Sequence, residues 1–246
     1  MNGFGATYDL KHARNRPMKG CLIAIGIVAG LVLIGISSCW LAYGPTHIRY
    51  RLTIEAKDGD VVRSGSSVIE VAYRIAPSFA FGGGPQIGVD VHGNAVTVNL
   101  GPKGVLFAIF RVDDSGMSMG EIPIEAYGLK KPGDSPELLK EDLTRLRRKS
   151  GSADVPKDVL PTLIRFRNID DPNSAGKVDP SDLAASFGAG VELKSVKIEL
   201  TNDPITPVPA VWPAWLKELG ADEYVNHSAT CGVNPFCLQG IDFKGS

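Results

Sequence analysis

Residues 21–43, CLIAIGIVAGLVLIGISSCWLAY, hold no charged side chain, and this run constrains the chain more than any other feature. At about 1.5 Å per helical residue it covers roughly 35 Å, against a hydrocarbon core of about 30 Å. Lipid offers no partner to a backbone N–H or C=O, so a single crossing segment has to be a helix. Gly26, Gly30 and Gly35 are unfavourable in a helix in water but common in membrane helices. Trp40 and Tyr43 fall at the outer end, where amphipathic rings favour the headgroup layer. A core helix of a soluble protein seldom lacks a polar face over such a length. The run therefore predicts a cytoplasmic basic head over 1–20, a transmembrane helix over 21–43 and an exported domain over 44–246.

Orientation follows from the basic residues. Lys11, Arg14, Arg16 and Lys19 oppose the single Asp9 in the head. Arg49 and Arg51 lie beyond the run, but a long domain crosses largely regardless of its charge. The expected location is the cell inner membrane, single-pass, with the N-terminus cytoplasmic and the C-terminal domain periplasmic. Ile36-Ser37-Ser38-Cys39 also has the small-residue pattern of a lipoprotein cleavage site. Cleavage there would leave Cys39 as a lipidated N-terminus. The long basic head and the apolar run continuing through Trp40, Leu41 and Ala42 favour a retained helix. Under either reading residues 21–43 imply membrane lipid as a partner.

The whole chain has a formal net charge of −1 and no basic stripe with interleaved aromatics, which excludes nucleic acid as an expected partner. Glycine (28) and proline (17) are frequent enough to favour short strands and turns. Of four cysteines, Cys21 and Cys39 lie in the apolar run. Cys231 and Cys237 flank Gly-Val-Asn-Pro-Phe, a turn-rich loop, and in an oxidising compartment the pair is expected to form a disulfide. A metal site there would need more ligands than the nearby His227 supplies.

Patterning in the domain predicts an α+β fold, mainly antiparallel β-sheet with two or three short helices, without repeats or a second domain. Ile48–Glu55 alternates apolar and polar residues, Lys57-Asp58-Gly59-Asp60 supplies a turn, and Ser67–Ala76 alternates again. After the glycine-rich stretch 81–85, strands are expected over Ala95–Leu100 and Val105–Val112, joined by a tight turn at Gly101–Gly104. The second is almost continuously apolar, as a strand covered on both faces would be. Ser135-Pro136-Glu137 opens a helix with a Leu139, Leu143 and Leu146 stripe and a basic end at Arg145 and Arg147–Lys149. Ser150-Gly151-Ser152 reads as loop and Pro161–Ile169 as a strand. Asp179 is expected to cap a short helix over Leu183–Phe187. Val191–Thr201 reads as a strand with a slip near Ser195, interpretable as a bulge. A proline-rich crossing from Pro204 to Pro213 leads to a last short helix over Trp215–Leu219. Trp212-Pro213-Ala214-Trp215 is either an interaction surface or, more in keeping with a proline-rich crossing, packs back on the sheet.

Catalytic patterns are weak. Gly116-Met117-Ser118-Met119-Gly120 has nucleophile-elbow spacing, with Asp203, Asp222 and His227 downstream in hydrolase order. Such an elbow needs a helix after the turn, and Pro123 in Glu121-Ile122-Pro123-Ile124 is expected to forbid one. Asp171, Asn173, Gly176 and Asp182 fall at calcium-loop offsets, but Ala175 stands at a ligand position and the final bidentate Glu is missing. An Asx turn at Asp170 and Asp171 is the alternative. Ser174-Ala-Gly-Lys177 has serine–lysine spacing without companion motifs. Gly82-Gly83-Gly84 lacks the Lys and Ser/Thr of a phosphate loop, and His12, His47, His92 and His227 are scattered. No cofactor is implied.

At Arg51–Glu55, Ser64–Val71 and Phe166–Pro172, running into Val178–Gly188, the chain resembles a group of uncharacterised bacterial proteins. These share a short basic head, one membrane helix and an exported domain. The resemblance implies that architecture and no activity, so no site residues come with it. The expected role is a non-enzymatic, membrane-tethered envelope module that binds a protein or a small envelope component. The alternatives are a serine hydrolase using Ser118 and His227, and an immunity-type protein that binds a partner protein.

Overall fold

The computed structural model describes residues 17–76, 86–112, 119–129, 135–225 and 237–245, with the first helix's side chains described only over 22–35. The chain divides into two compact units, Met1–Gly44 and Pro45–Ser246. In the first, α1 runs Pro17–Tyr43, opening on a proline whose missing N–H costs nothing in a first turn. Every large apolar side chain described on it, from Leu22 to Ile34, is 54–65% exposed. Among the described residues no helix is long and apolar enough to cross a membrane, since the described side chains end at 35.

The second unit is α+β, and all its strand pairs are antiparallel. A five-stranded sheet has the order β3-β2-β1-β9-β6, from β1 (Thr46–Asp58), β2 (Val61–Ala76), β3 (Gln86–His92), β6 (Ser152–Asp154) and β9 (Val191–Leu200). A four-stranded sheet has the order β4-β5-β7-β8, from β4 (Val96–Asn99), β5 (Val105–Val112), β7 (Pro161–Phe166) and β8 (Ala175–Lys177). The described helices of this unit are α2 (Glu121–Ala126), α3 (Pro136–Leu146), α4 (Leu183–Phe187) and α5 (Ala214–Glu218), one or two more than the sequence pattern led us to expect.

Alternation decides what each sheet face meets. In β1, Ile48, Tyr50, Leu52, Ile54 and Ala56 are buried, while Arg49 is exposed and Arg51, Thr53 and Glu55 are half-buried. The buried row joins Ile69, Val71 and Tyr73 of β2 and Val196 and Ile198 of β9 in one core with Val98, Leu106 and Ala108 of the second sheet and Leu139, Leu143 and Leu146 of α3. Where Glu55 faces Ser195 and Ala56 faces Leu193, Lys194 is left over as a bulge, and the alternation of β9 resumes on the same face beyond it. Gly65 of β2 lies where a Cβ would stand 1.9 Å from the Thr97 carbonyl oxygen, so only glycine permits the two sheets to cross there.

β5 is covered on both faces, as its apolar run predicts. Leu106 and Ala108 enter the first core, while Phe107 and Ile109 enter a second one with Ile164, Phe166, Trp212, Leu216, Leu238 and Phe243. Trp212 is 2% exposed, so the tryptophan segment packs back on the sheet. The C-terminal residues close this layer. Lys244 Nζ donates to the Lys217 and Leu219 carbonyls at the end of α5, at 2.6 and 2.9 Å. Arg111 Nη2 meets the Cys237 carbonyl and the buried Asp242 carboxylate, each at 3.0 Å.

Several sequence expectations need correction. Glu121–Ala126 is helical despite Pro123, because the proline falls in the first turn, where its N–H would have no intrahelical partner. Asp182, not Asp179, caps α4: its Oδ1 accepts from Ala185 N at 3.0 Å, whereas Asp179 Oδ1 accepts from Ser181 N at 2.8 Å in a local turn. Ser135 stands at the N-cap of α3, but its hydroxyl donates to Glu137 Oε2 at 2.9 Å instead of capping. The tight turn expected at Gly101–Gly104, by contrast, is present, as a 3-10 turn over Gly101–Lys103. β3 was not legible in the pattern, and Ser152 starts β6 where a loop was expected.

Candidate functional site

Two open clefts adjoin β9 of the five-stranded sheet. The first, about 460 Å³, gathers His47, Ile48 and Arg49 from the start of β1, Arg147 and Lys149 beyond the end of α3, and Leu200, Thr201 and Asn202 from the end of β9. The ladder explains the gathering: Tyr50 pairs with Leu200 and Thr201 N donates to the Arg49 carbonyl at 3.1 Å, so the start of β1 and the end of β9 coincide. Four ionisable groups line it, all basic, and no carboxylate does.

Behind the lining, Glu70 accepts from Arg49 Nε at 2.6 Å and meets His47 Nδ1 at 3.1 Å. Burial alone would push the Glu70 carboxyl up, but these bonds outweigh it and hold it below its ordinary value. Glu70 thus stays a carboxylate and offsets about one cation. Arg147, Arg148 and Lys149 are exposed, and their side chains have no hydrogen-bonding or charge partner among the described residues.

The second cleft, about 490 Å³, is lined by Asp154, Val155 and Lys157, by Leu160, by Pro180 and Ser181, and by Leu193–Val196 around the bulge. Its polar groups are largely engaged. Ser195 Oγ donates to Glu55 Oε2 at 2.9 Å, Lys194 lies 3.3 Å from the same oxygen, and Ser181 Oγ donates to Asp179 Oδ1 at 2.6 Å. A hydroxyl beside a carboxylate held low by its donors has no effective base. The hydrogen bond from Ser195 is the leading cause that keeps Glu55 below its ordinary value.

The residues singled out from sequence fare unevenly. Ser118, His227 and Cys231 lie outside the described residues, as do Gly82–Gly84 and His12. The turn after Ser118 is described: Tyr50 Oη donates to the Met119 carbonyl at 3.1 Å and Tyr73 Oη to the Gly120 carbonyl at 2.5 Å. Burial raises both phenols well above their ordinary value, so they act as neutral donors that fix this turn. Asp203 is exposed and paired with Arg51 at 2.5 Å, and its carboxyl is held low first by that hydrogen bond. Asp222 is exposed.

The calcium-loop residues are not assembled around one point. Asp171 Oδ1 accepts from Asn173 N at 2.9 Å in the expected Asx turn, while Asp182 caps α4. Asp170 instead donates its N–H to Asn168 Oδ1 at 3.2 Å. No group of three or more His, Cys, Asp or Glu suited to a metal ion occurs among the described residues. Ser174 Oγ donates into the same turn, toward the Asn168 and Asp171 carbonyls at 2.7 and 2.6 Å, which gives the serine of the Ser174–Lys177 spacing a structural role.

The basic cleft was not foreseen. Its parts were visible as Arg49 in the alternating strand and as the basic end of α3, but it takes the pairing of both β1 and β6 with β9 to bring them together. No family model, curated protein or solved structure matches the chain.

Proposed function

We propose that the chain is a single-pass inner-membrane protein, like the group it resembles in sequence, whose exported domain is a binding or accessory module of the cell envelope and not a catalyst. One observation carries the reading: a continuous helix over Pro17–Tyr43 contains the 23-residue uncharged run 21–43 and leaves its described apolar side chains open to their surroundings. Burying such side chains in acyl chain instead of water gains about 25 cal/mol per Å² of apolar surface. The basic head supports a cytoplasmic N-terminus and a periplasmic Pro45–Ser246 unit. In that oxidising compartment Cys231 and Cys237 pair as a disulfide. In the second cleft the Ser181 and Ser195 hydroxyls are engaged by Asp179 and Glu55, which favours recognition over chemistry.

The test is a pair of reporter fusions after Ser246. An enzyme active only outside the cytoplasm is expected to be active and a cytoplasmic reporter silent; the reverse pattern refutes the reading. Crosslinking in intact cells, followed by identification of the captured protein, then defines the partner.

A serine hydrolase remains the second reading, favoured by the β5–α2 order. Strand Val105–Val112 precedes Ser118 in the chain and helix Glu121–Ala126 follows it, so the strand and the helix of an elbow's context are both there. A fluorophosphonate probe that labels the full chain, with labelling lost in Ser118→Ala, would establish it.

A further inference from the structure

Several cations on the sheet and its connections are matched by acids. Arg51 pairs with Asp203, Arg74 with Asp90, Lys103 with Asp58, Arg111 with Asp242 and Lys194 with Glu55. On α3, Arg145 is tied to Glu141 at 2.6 Å. Pairing stops where α3 ends: Arg147, Arg148 and Lys149 project three unmatched charges beside a cleft that also holds His47 and Arg49 and lacks any lining carboxylate. A helix C-terminus favours about one cation near its last turn, so that dipole does not account for a cleft whose other cations come from β1.

The place of this cleft along the chain says what anion it meets. His47 is four residues after Tyr43, the last residue of α1, and four residues reach at most about 14 Å when fully extended. With α1 in a bilayer, headgroup phosphates lie within that tether. Their effective concentration at the cleft then far exceeds that of a dissolved anion, and their field acts over a Debye length of about 8–10 Å.

We propose that the cleft formed by His47, Arg49, Arg147 and Lys149, with Arg148 beside it, docks the domain onto anionic phosphate headgroups of the bilayer that holds α1. This rests on the membrane-anchored reading above. It gives the domain a fixed face toward the lipid and leaves the cleft at Lys157 and Ser195 available to an envelope partner.

The experiment uses the full chain in vesicles of phosphatidylcholine alone and of phosphatidylcholine with one-third phosphatidylglycerol. Two quantities are read: retention on the vesicles after an alkaline carbonate wash, and amide exchange over 46–50, 146–150 and 200–202. Retention is expected in both vesicles, with slower exchange in these segments only in the anionic ones. Docking is expected to weaken by about fivefold for each cation removed in Arg147→Gln, Arg148→Gln, Lys149→Gln and their combination, and to disappear at 1 M salt, where the Debye length is about 3 Å. Because these side chains are exposed, the variants keep the fold. Retention with equal exchange in the two vesicles overturns the docking proposal alone. Equal protection by glycerol phosphate over neutral vesicles overturns the lipid as the anion's source. Loss of the chain in the carbonate wash overturns the anchor, and the docking with it.

Discussion

Replacing Phe107 with alanine tests the claim that the C-terminal segment is a structural layer. Phe107 is fully buried on β5 and faces away from the first core. Its ring centroid lies 5.4 Å from Phe166, 6.1 Å from Phe243 and 6.4 Å from Trp212, the first two edge-on. Truncating a buried Phe costs about 3–5 kcal/mol, and three ring contacts place this site toward the top of that range. At about 2–4 °C per kcal/mol for a domain of this size, the unfolding midpoint falls by roughly 8–20 °C. The assay is thermal and urea denaturation of the full chain in mild detergent, followed by tryptophan emission. Trp212 and Trp215 both belong to or pack on this cluster, so their emission shifts red in Phe107→Ala. Leu106→Ala, one residue away on the opposite face, destabilises comparably but leaves the emission of the native state unchanged. A Phe107→Ala variant within 1 kcal/mol of the parent, with unaltered emission, would show that the C-terminal segment does not cover the sheet.

Three further outcomes follow from particular contacts. Gly65→Ala puts a Cβ against the Thr97 carbonyl oxygen, and because both partners are backbone the strain costs about 1–3 kcal/mol, read as a lower urea midpoint with unchanged m-value. Asp182→Ala removes the acceptor for Ala185 N and costs about 1 kcal/mol; a neutral result in the same denaturation would return the cap to Asp179. For Asp242, burial raises the carboxyl above its ordinary value against the pull of the Gln239 N–H and Arg111. The folded state therefore holds that proton more tightly than the unfolded state, and this contribution, full below about pH 4, is lost as pH rises through the folded value. Asp242→Asn should consequently gain on the parent as pH rises above about 4, and a flat or declining difference in urea denaturation contradicts the assignment.

Where one face of a segment is buried and the other polar, the sequence was legible. β1 and β9 alternate because their outer face carries Arg49, Arg51 and Lys197 while the inner one meets the core. Even the bulge at Lys194 shows as a slip, since an extra residue must reverse the phase of everything beyond it. α3 shows because cap, stripe and basic end agree. β3 was missed because Gly88 interrupts it and its apolar residues are only half-buried, and β6 because three residues carry no period. The cleft was illegible for another reason: its cations come from segments about 100 residues apart, and nothing local records that no acid faces the Arg147 and Lys149 side chains.

Pro123 teaches the narrower point on which the catalytic question turns. Proline excludes a helix only where its N–H and ring would meet the preceding turn, and at the third position there is no such turn. Once that is granted, the eight residues between Val112 and Glu121 no longer separate a strand from an irregular segment but join β5 to α2. The far side of this connection is rigid: the carbonyls of Met119 and Gly120 are each held by a buried tyrosine. Tyr50→Phe and Tyr73→Phe would each strand a buried carbonyl, at about 1–3 kcal/mol. If Ser118 is a nucleophile, loosening its neighbours in these variants must slow fluorophosphonate labelling while the fold persists. If the loop only links the two elements, they lower the melting midpoint and the parent chain stays unlabelled.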